Sequence, residues 1–84
     1  MKTAIVTGAN RGIGLELTRQ LLDSGYNVHA TYRSNKGGLE QIDSDNLSIY
    51  QMDVRDKIQI SNVVQSVDKI DLLINNAGVA DGRW

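Results

Sequence analysis

The sequence predicts an α/β protein built on a doubly wound parallel sheet, and three observations predict it. The run Lys2–Thr7, with Ala4-Ile5-Val6 at its centre, has the β-branched and small apolar content of a strand buried on both faces. A glycine-rich turn, Thr7-Gly8-Ala9-Asn10-Arg11-Gly12-Ile13-Gly14, leads from that run into an amphipathic helix. A second strand-like run, Asn27–Tyr32, follows at once, so strand, helix and strand form a right-handed βαβ unit of roughly thirty residues.

The helix is expected from Gly12 to Ser24. A step of 100° per residue places Ile13, Gly14, Leu15, Leu17, Thr18, Leu21 and Leu22 on one broad face, and Glu16, Arg19, Gln20 and Asp23 opposite. Gly25 is the C′ stop. Beyond the second strand, Arg33 to Gly38 reads as a polar loop, Leu39 to Ile42 as a weak helical turn, and Asp43 to Asn46 as a polar connection. Leu47–Met52 alternates only partly and suits an exposed or edge strand. Asp53 ends it. Asp56 is placed to cap a helix running to about Val67, with Ile60, Val63, Val64 and Val67 on one face. Ile70–Asn75 supplies a fourth strand through Leu72-Leu73-Ile74, and Asn76 to Trp84 reads as loop.

At 84 residues the chain has room for one domain at most. A hydrophobic fraction of 40 %, a charged fraction of 23 % and a net charge of −1 give no basic surface for nucleic acid and no acidic tail. With no cysteine and one histidine, neither a disulfide framework nor a metal centre is expected. The first apolar run is too short for a signal or a membrane span, so the expectation is a soluble, unprocessed, cytoplasmic protein. There are no repeats, no proline and no candidate linker.

The turn carries the chemistry. A strand that ends in small residues and restarts as a helix leaves N–H groups unpaired at the positive end of the helix dipole, which is an anion site. Its glycines accept unusual φ/ψ and let a phosphate approach the backbone. The spacing, G-x-x-x-G-x-G, differs from the commoner G-x-G-x-x-G, and a plain strand-to-helix turn would use two of these glycines structurally.

Three motifs in order then resemble one family, the short-chain dehydrogenases/reductases. Thr7, Gly8, Gly12 and Gly14 match its T-G-x-x-x-G-x-G, Asp53-Val54 match the pair after strand three, and Asn75-Asn76-Ala77-Gly78 match its N-N-A-G after strand four. The wording of Thr3 to Gly14 and of Ala30-Thr31-Tyr32-Arg33 is most similar to the C-factor-like or sniffer-like carbonyl reductase branch. The resemblance implies a three-layer Rossmann-type sheet, here its first half in the order 3-2-1-4, with residues 1–84 as the N-terminal part of a single NAD(P)-binding domain.

It also implies roles. Gly8, Ala9, Asn10, Arg11, Gly12, Ile13 and Gly14 would hold the cofactor pyrophosphate. Where NAD-specific proteins place an acid after strand two, this sequence has Tyr32, Arg33 and Ser34. An arginine fork suits a 2′-phosphate, so Arg33, with Arg11, points to NADP(H) in preference to NAD; both would otherwise be solvated surface cations. Asp53 and Val54 would meet the adenine, or Asp53 would simply flank a helix. Asn75, Asn76, Ala77 and Gly78 would line the cofactor, a structural role for Asn75 standing equally. His29 reads as sheet packing.

In the family, hydride transfer depends on a tyrosine, a lysine four residues later, a serine and a further asparagine, all from the domain's second half. None has its match here. Tyr32-x-x-x-Lys36 fits the bare pattern but lies at the end of strand two, so no catalytic residue is assigned. Two function classes follow: the NADP-binding half of an oxidoreductase acting on a carbonyl or alcohol, inactive as these residues alone, or a non-catalytic half-domain that binds nucleotide or a partner. The apolar edge Leu72-Leu73-Ile74 predicts a homo-oligomer or pairing with a complementary fragment, with no nucleic-acid or membrane partner.

Overall fold

The structure is a computed structural model and describes residues 1–53, 57–65, 67 and 69–76. Its elements in chain order are β1 (Thr3–Thr7), α1 (Gly12–Asp23), β2 (Asn27–Tyr32), a 3₁₀ turn (Gly37–Gln41), β3 (Leu47–Gln51), α2 (Lys57–Gln65) and β4 (Leu72–Asn75). The strands form one sheet in the order β3-β2-β1-β4, and each neighbouring pair is parallel. This is the expected architecture, with β3 at one edge. The proposed cap at Asp56 and the tail from Ala77 to Trp84 lie outside the described residues.

Register sorts the side chains onto two faces. Val6 pairs with Ala30 and with Ile74, and Ala30 pairs with Ile49, so these four line one face across all four strands. In a parallel pair, aligned residues share a face. Leu15, Leu21 and Leu22 of α1 and Leu39 of the 3₁₀ turn pack on that side, around fully buried Val6, Val28 and Ala30. Complete burial of each large aliphatic side chain contributes ~1.5–3 kcal/mol, so Leu39 anchors the 3₁₀ turn as firmly as Val6 anchors β1. On the opposite face, Ile5, Thr7, Leu73 and Asn75 meet Met52, Val63 and Val64 around a shallow groove. Helices therefore cover both faces.

Helix α1 ends as its sequence predicts. Gly25 has φ +89°, its N–H donates to Leu22 and the Tyr26 N–H to Leu21, which is a Schellman closure. The buried stripe of α1 is narrower than expected, and Ile13 falls outside it. Gly14 and Thr18 are the buried positions, and Ile13 is 66 % exposed. Centred on Gly14 and Thr18, with Leu15, Leu21 and Leu22 flanking, the buried arc leaves Ile13 more than a quarter-turn away. Thr18 satisfies its hydroxyl by donating to the Gly14 carbonyl at 2.8 Å. In α2, Val63 is buried while Val64, which also lines that groove, is 41 % exposed. No helix among the described residues is long and apolar enough to cross a membrane.

His29 gains a partner that its strand does not reveal. Its Nδ1 is hydrogen-bonded to the Tyr50 hydroxyl at 2.8 Å, with the rings stacked at 5.6 Å. His29 is level with Ser48 and Tyr50 with Thr31, so the two rings are diagonal neighbours on one face. Burial holds the imidazole below its ordinary pKa.

At the other end of the sheet, the β1–β4 ladder begins with a reciprocal pair. Asp71 N–H donates to the Thr3 carbonyl and Thr3 N–H to Asp71 Oδ2, each at 2.9 Å. The Thr3 hydrogen bond, reinforced by Lys69 with Nζ 3.6 Å from Oδ1, holds the Asp71 carboxyl below the usual carboxylate range. A depressed folded pKa stabilises the fold above the unfolded value, and this contribution is lost as pH falls through the folded one. Asp71→Asn is therefore expected to flatten the fall of Tm between about pH 5 and pH 3. An unchanged Tm–pH slope in that window would show that the ladder does not draw on this carboxylate.

Candidate nucleotide-binding site

The site lies where β1, β2 and β4 end. Helix α1 starts on Arg11, an exposed residue in extended conformation that makes no side-chain cap. With Arg11 as N-cap, Gly12, Ile13 and Gly14 form the first turn, whose N–H groups have no carbonyl within the helix to meet. They carry the positive end of the dipole. Gly8 and Gly12 reach this geometry at φ +62° and +59°, a region that side-chain-bearing residues rarely occupy.

Around the turn, inward-facing backbone groups are paired. Ala9, fully buried, donates its N–H to the Thr31 carbonyl at 2.9 Å, which seats the turn on the end of β2. The Asn10 carbonyl accepts from the Gly38 N–H at 2.9 Å. Gly8's carbonyl accepts from Asn76 Nδ2 at 3.2 Å. Asn76 also donates its backbone N–H to Thr7 Oγ1 at 2.9 Å, and the Thr7 hydroxyl donates to Asn75 Oδ1 at 3.0 Å. The end of β4 is thus tied to the turn by a chain of polar contacts, and Asn76 is only 9 % exposed.

Gly14 is the point at which these parts meet. A Cβ there would lie inside contact distance of the Gly8 carbonyl oxygen and 2.7 Å from Asn76 Nδ2. Only a hydrogen fits. Gly12 is different, since a Cβ there would meet nothing within 4 Å. Its glycine serves backbone conformation and leaves open space over the helix start, while Gly14 serves close packing.

The adenosine-side candidates sit together. Arg33 and Ser34 are exposed just past β2, and Asp53 lies just past β3. The Gln51 side chain donates to the Arg33 carbonyl at 3.3 Å, and Gln59 Oε1 accepts from the Asp53 N–H at 2.8 Å. The Arg33 side chain, 62 % exposed, pairs through Nε with Asp53 Oδ2 at 3.8 Å. The sequence assigned these two side chains separate roles, and the structure puts them in contact. Val54, Ala77 and Gly78 lie outside the described residues. Among the described residues no cluster of His, Cys, Asp or Glu could hold a metal ion.

Sequence reasoning passed over Gly37, Gly38 and Gln59. A Gly-Gly pair in a polar loop signals a turn, but what it presses against is invisible in sequence.

The family profile described as short chain dehydrogenase matches residues 2–83. The chain belongs to that family. Among relatives of this short-chain dehydrogenase chain, (+)-neomenthol dehydrogenase of Arabidopsis thaliana is 40 % identical over 89 residues, covering 90 % of this chain and 30 % of that protein. The structure of menthone neomenthol reductase from Mentha piperita superimposes with a TM-score of 0.79 at 33 % identity, over 90 % of this chain and 31 % of that one. A closed form of serine dehydrogenase complexed with NADP⁺ gives 0.73 at 36 % identity, over 84 % and 31 %. The chain thus spans about a third of the length of these proteins.

The role of Gly14 is measurable. Gly14→Ala is expected to lower stability by ~1–3 kcal/mol through overpacking against backbone, and Gly12→Ala by about 1 kcal/mol through conformational strain alone. Urea midpoints at constant m-value measure both. A Gly14→Ala loss no larger than that of Gly12→Ala would show that the close approach is not needed.

Proposed function

We propose that these residues form the NADP-binding half of a cytoplasmic short-chain oxidoreductase that transfers a hydride between NADP(H) and a carbonyl or alcohol substrate. The observation that carries this reading is the helix start at Gly12–Gly14, with uncapped N–H groups, open space over Gly12 and two exposed arginines nearby in the chain order of the β1 and β2 ends. Those features fit an anionic dinucleotide. Gly8 to Gly14 would hold the pyrophosphate, Arg11, Arg33 and Ser34 the 2′-phosphate, and Asp53 and Val54 the adenine. Ile13, exposed beside the turn, would give the ligand an apolar surface. On this reading Asn75 and Asn76 act by holding the turn, and Ala77 and Gly78 would line the cofactor. Bound NADPH would supply the hydride.

The wording of the turn favours the C-factor-like or sniffer-like carbonyl reductase branch. A proton donor for the substrate oxygen would come from outside these residues, since Tyr26, Tyr32 and Tyr50 belong to the helix stop, the β2 end and the His29 stack. The alternative reading, a partner-binding half-domain, is favoured by one observation: Leu73, which lines the groove with Ile5 and Val63, is 58 % exposed on β4, and Leu72 on the other face of that strand is 36 % exposed. The same surface supports a homo-oligomer.

Arg33→Asp is expected to reduce the preference for NADP⁺ over NAD⁺, read as the ratio of Kd values by titration calorimetry, by at least about tenfold (~1.4 kcal/mol). A ratio that does not move means that Arg33 does not read a 2′-phosphate. The 84-residue chain itself is expected to show no carbonyl-dependent loss of NADPH absorbance and to elute above its monomer mass in size-exclusion with light scattering. Turnover, or a monodisperse 9.2 kDa species at high concentration, would contradict the corresponding half of that expectation.

A further inference from the structure

Between β2 and the 3₁₀ turn the chain is fixed at both ends. The Tyr32 carbonyl accepts from the Met52 N–H at 2.8 Å, and Leu39 is fully buried in the core cluster. Arg33, Ser34, Asn35 and Lys36 between them are exposed. Gly37 and Gly38 then close against the glycine-rich turn. The Gly38 N–H donates to the Asn10 carbonyl. Gly37 has φ +50°, and a Cβ there would fall within contact distance of that same oxygen. A Cβ at Gly38 would strike Leu15 Cδ2. Gly37 is thus held to glycine by backbone, whereas a Cβ at Gly38 would press on the end of the Leu15 side chain, which would have to shift.

The direction of the Asn10 carbonyl fixes the direction of a donor. The Asn10–Arg11 peptide is trans, so its C=O and N–H point to opposite sides. With the oxygen held by Gly38, the Arg11 N–H is turned away from the 3₁₀ turn and its core anchor. We propose that Gly37–Gly38 is a positioning latch: it aims the Arg11 N–H to join the donors of Gly12 to Gly14, and it ties the Arg33–Lys36 arch to the same turn. The two anion-reading segments then move as one body. The ligand's identity rests on the nucleotide reading above; the latch itself rests on the contacts alone.

Amide hydrogen exchange, amide resonances by NMR and NADP⁺ titration on the protein, on Gly38→Ala and on Gly38→Ala/Leu15→Ala test it, the second change removing the atoms that the new Cβ meets. In the wild type the Gly38 amide is expected to be protected. Gly38→Ala should speed exchange at position 38 and shift the Arg11 amide resonance, and weaken NADP⁺ binding about tenfold, the ~1.4 kcal/mol of one hydrogen bond. The double variant should recover most of both. A folded Gly38→Ala protein with unchanged Kd and an unchanged Arg11 amide resonance overturns the latch. So does a wild-type Gly38 amide that exchanges freely, a measurement that holds even where the variant does not fold. If the wild type binds no NADP⁺ while the Gly38 amide is protected and the Arg11 amide resonance responds to Gly38→Ala, the nucleotide reading fails and the latch stands.

Discussion

The contact between the start of α1 and the backbone of Gly8 is the constraint on which the rest of the structure depends. Gly14 has no room for a Cβ because the Gly8 carbonyl and the Asn76 amide occupy that space. Through it the helix is pressed against the turn, and the turn against the end of β4. Parallel strands cannot be joined by a tight turn, and β1 and β4 pair across most of the length of the chain. The Thr7–Asn76–Gly8 hydrogen bonds secure that long-range pairing at the end where the site is built. Leu72 and Leu73 of β4 are exposed, so these polar contacts add register where apolar packing along the strand is thinnest.

A second consequence concerns which backbone groups are available for a ligand. A short turn carries more donors and acceptors than it can satisfy internally, and each inward one must find a partner. Ala9 N–H goes to Thr31, the Asn10 carbonyl to Gly38 and the Gly8 carbonyl to Asn76. Two of these three are carbonyls, whose negative ends are thereby turned into the protein. The helix start then presents N–H groups with little opposing charge from the turn itself. Anion affinity at such a helix start comes as much from where its carbonyls are stored as from the dipole.

The fold was legible in the sequence because its strongest signals are local. The β1 and β2 runs, the Gly25 stop and the partial alternation of β3 are read within windows of a few residues, and their order follows from crossover handedness. What escaped was not local. A helical wheel counted Ile13 as core because it is apolar, yet the centre of the buried arc is set by Gly14, a residue with no hydrophobic weight. Val64 was counted with Val63 on the core face, yet it lines the groove while remaining 41 % exposed. His29 found Tyr50 across two strands, and Gly37–Gly38 found Asn10 across the sheet's end; neither pairing has a spacing to recognise. Asn76 was legible as a motif, but its work on the Gly8 carbonyl was not.

The Arg33–Asp53 pair shows how weak contacts serve a binding site. At 3.8 Å and largely in solvent, the pair is worth only ~0–1 kcal/mol, so breaking it costs the protein little. Its value lies in what it leaves free. The carboxylate meets the guanidinium at Nε, which keeps the two terminal nitrogens of the fork unengaged by that contact. Asp53 is itself fixed from α2 by Gln59, and the Arg33 backbone is fixed from β3 by Gln51, so the pair is set by two anchored main-chain positions joined by one mobile arm. On the proposed reading, an arriving phosphate has only to add a charge-assisted, bidentate contact to an arginine already turned toward the adenine side, and a stronger ion pair there would oppose the very ligand it is meant to receive.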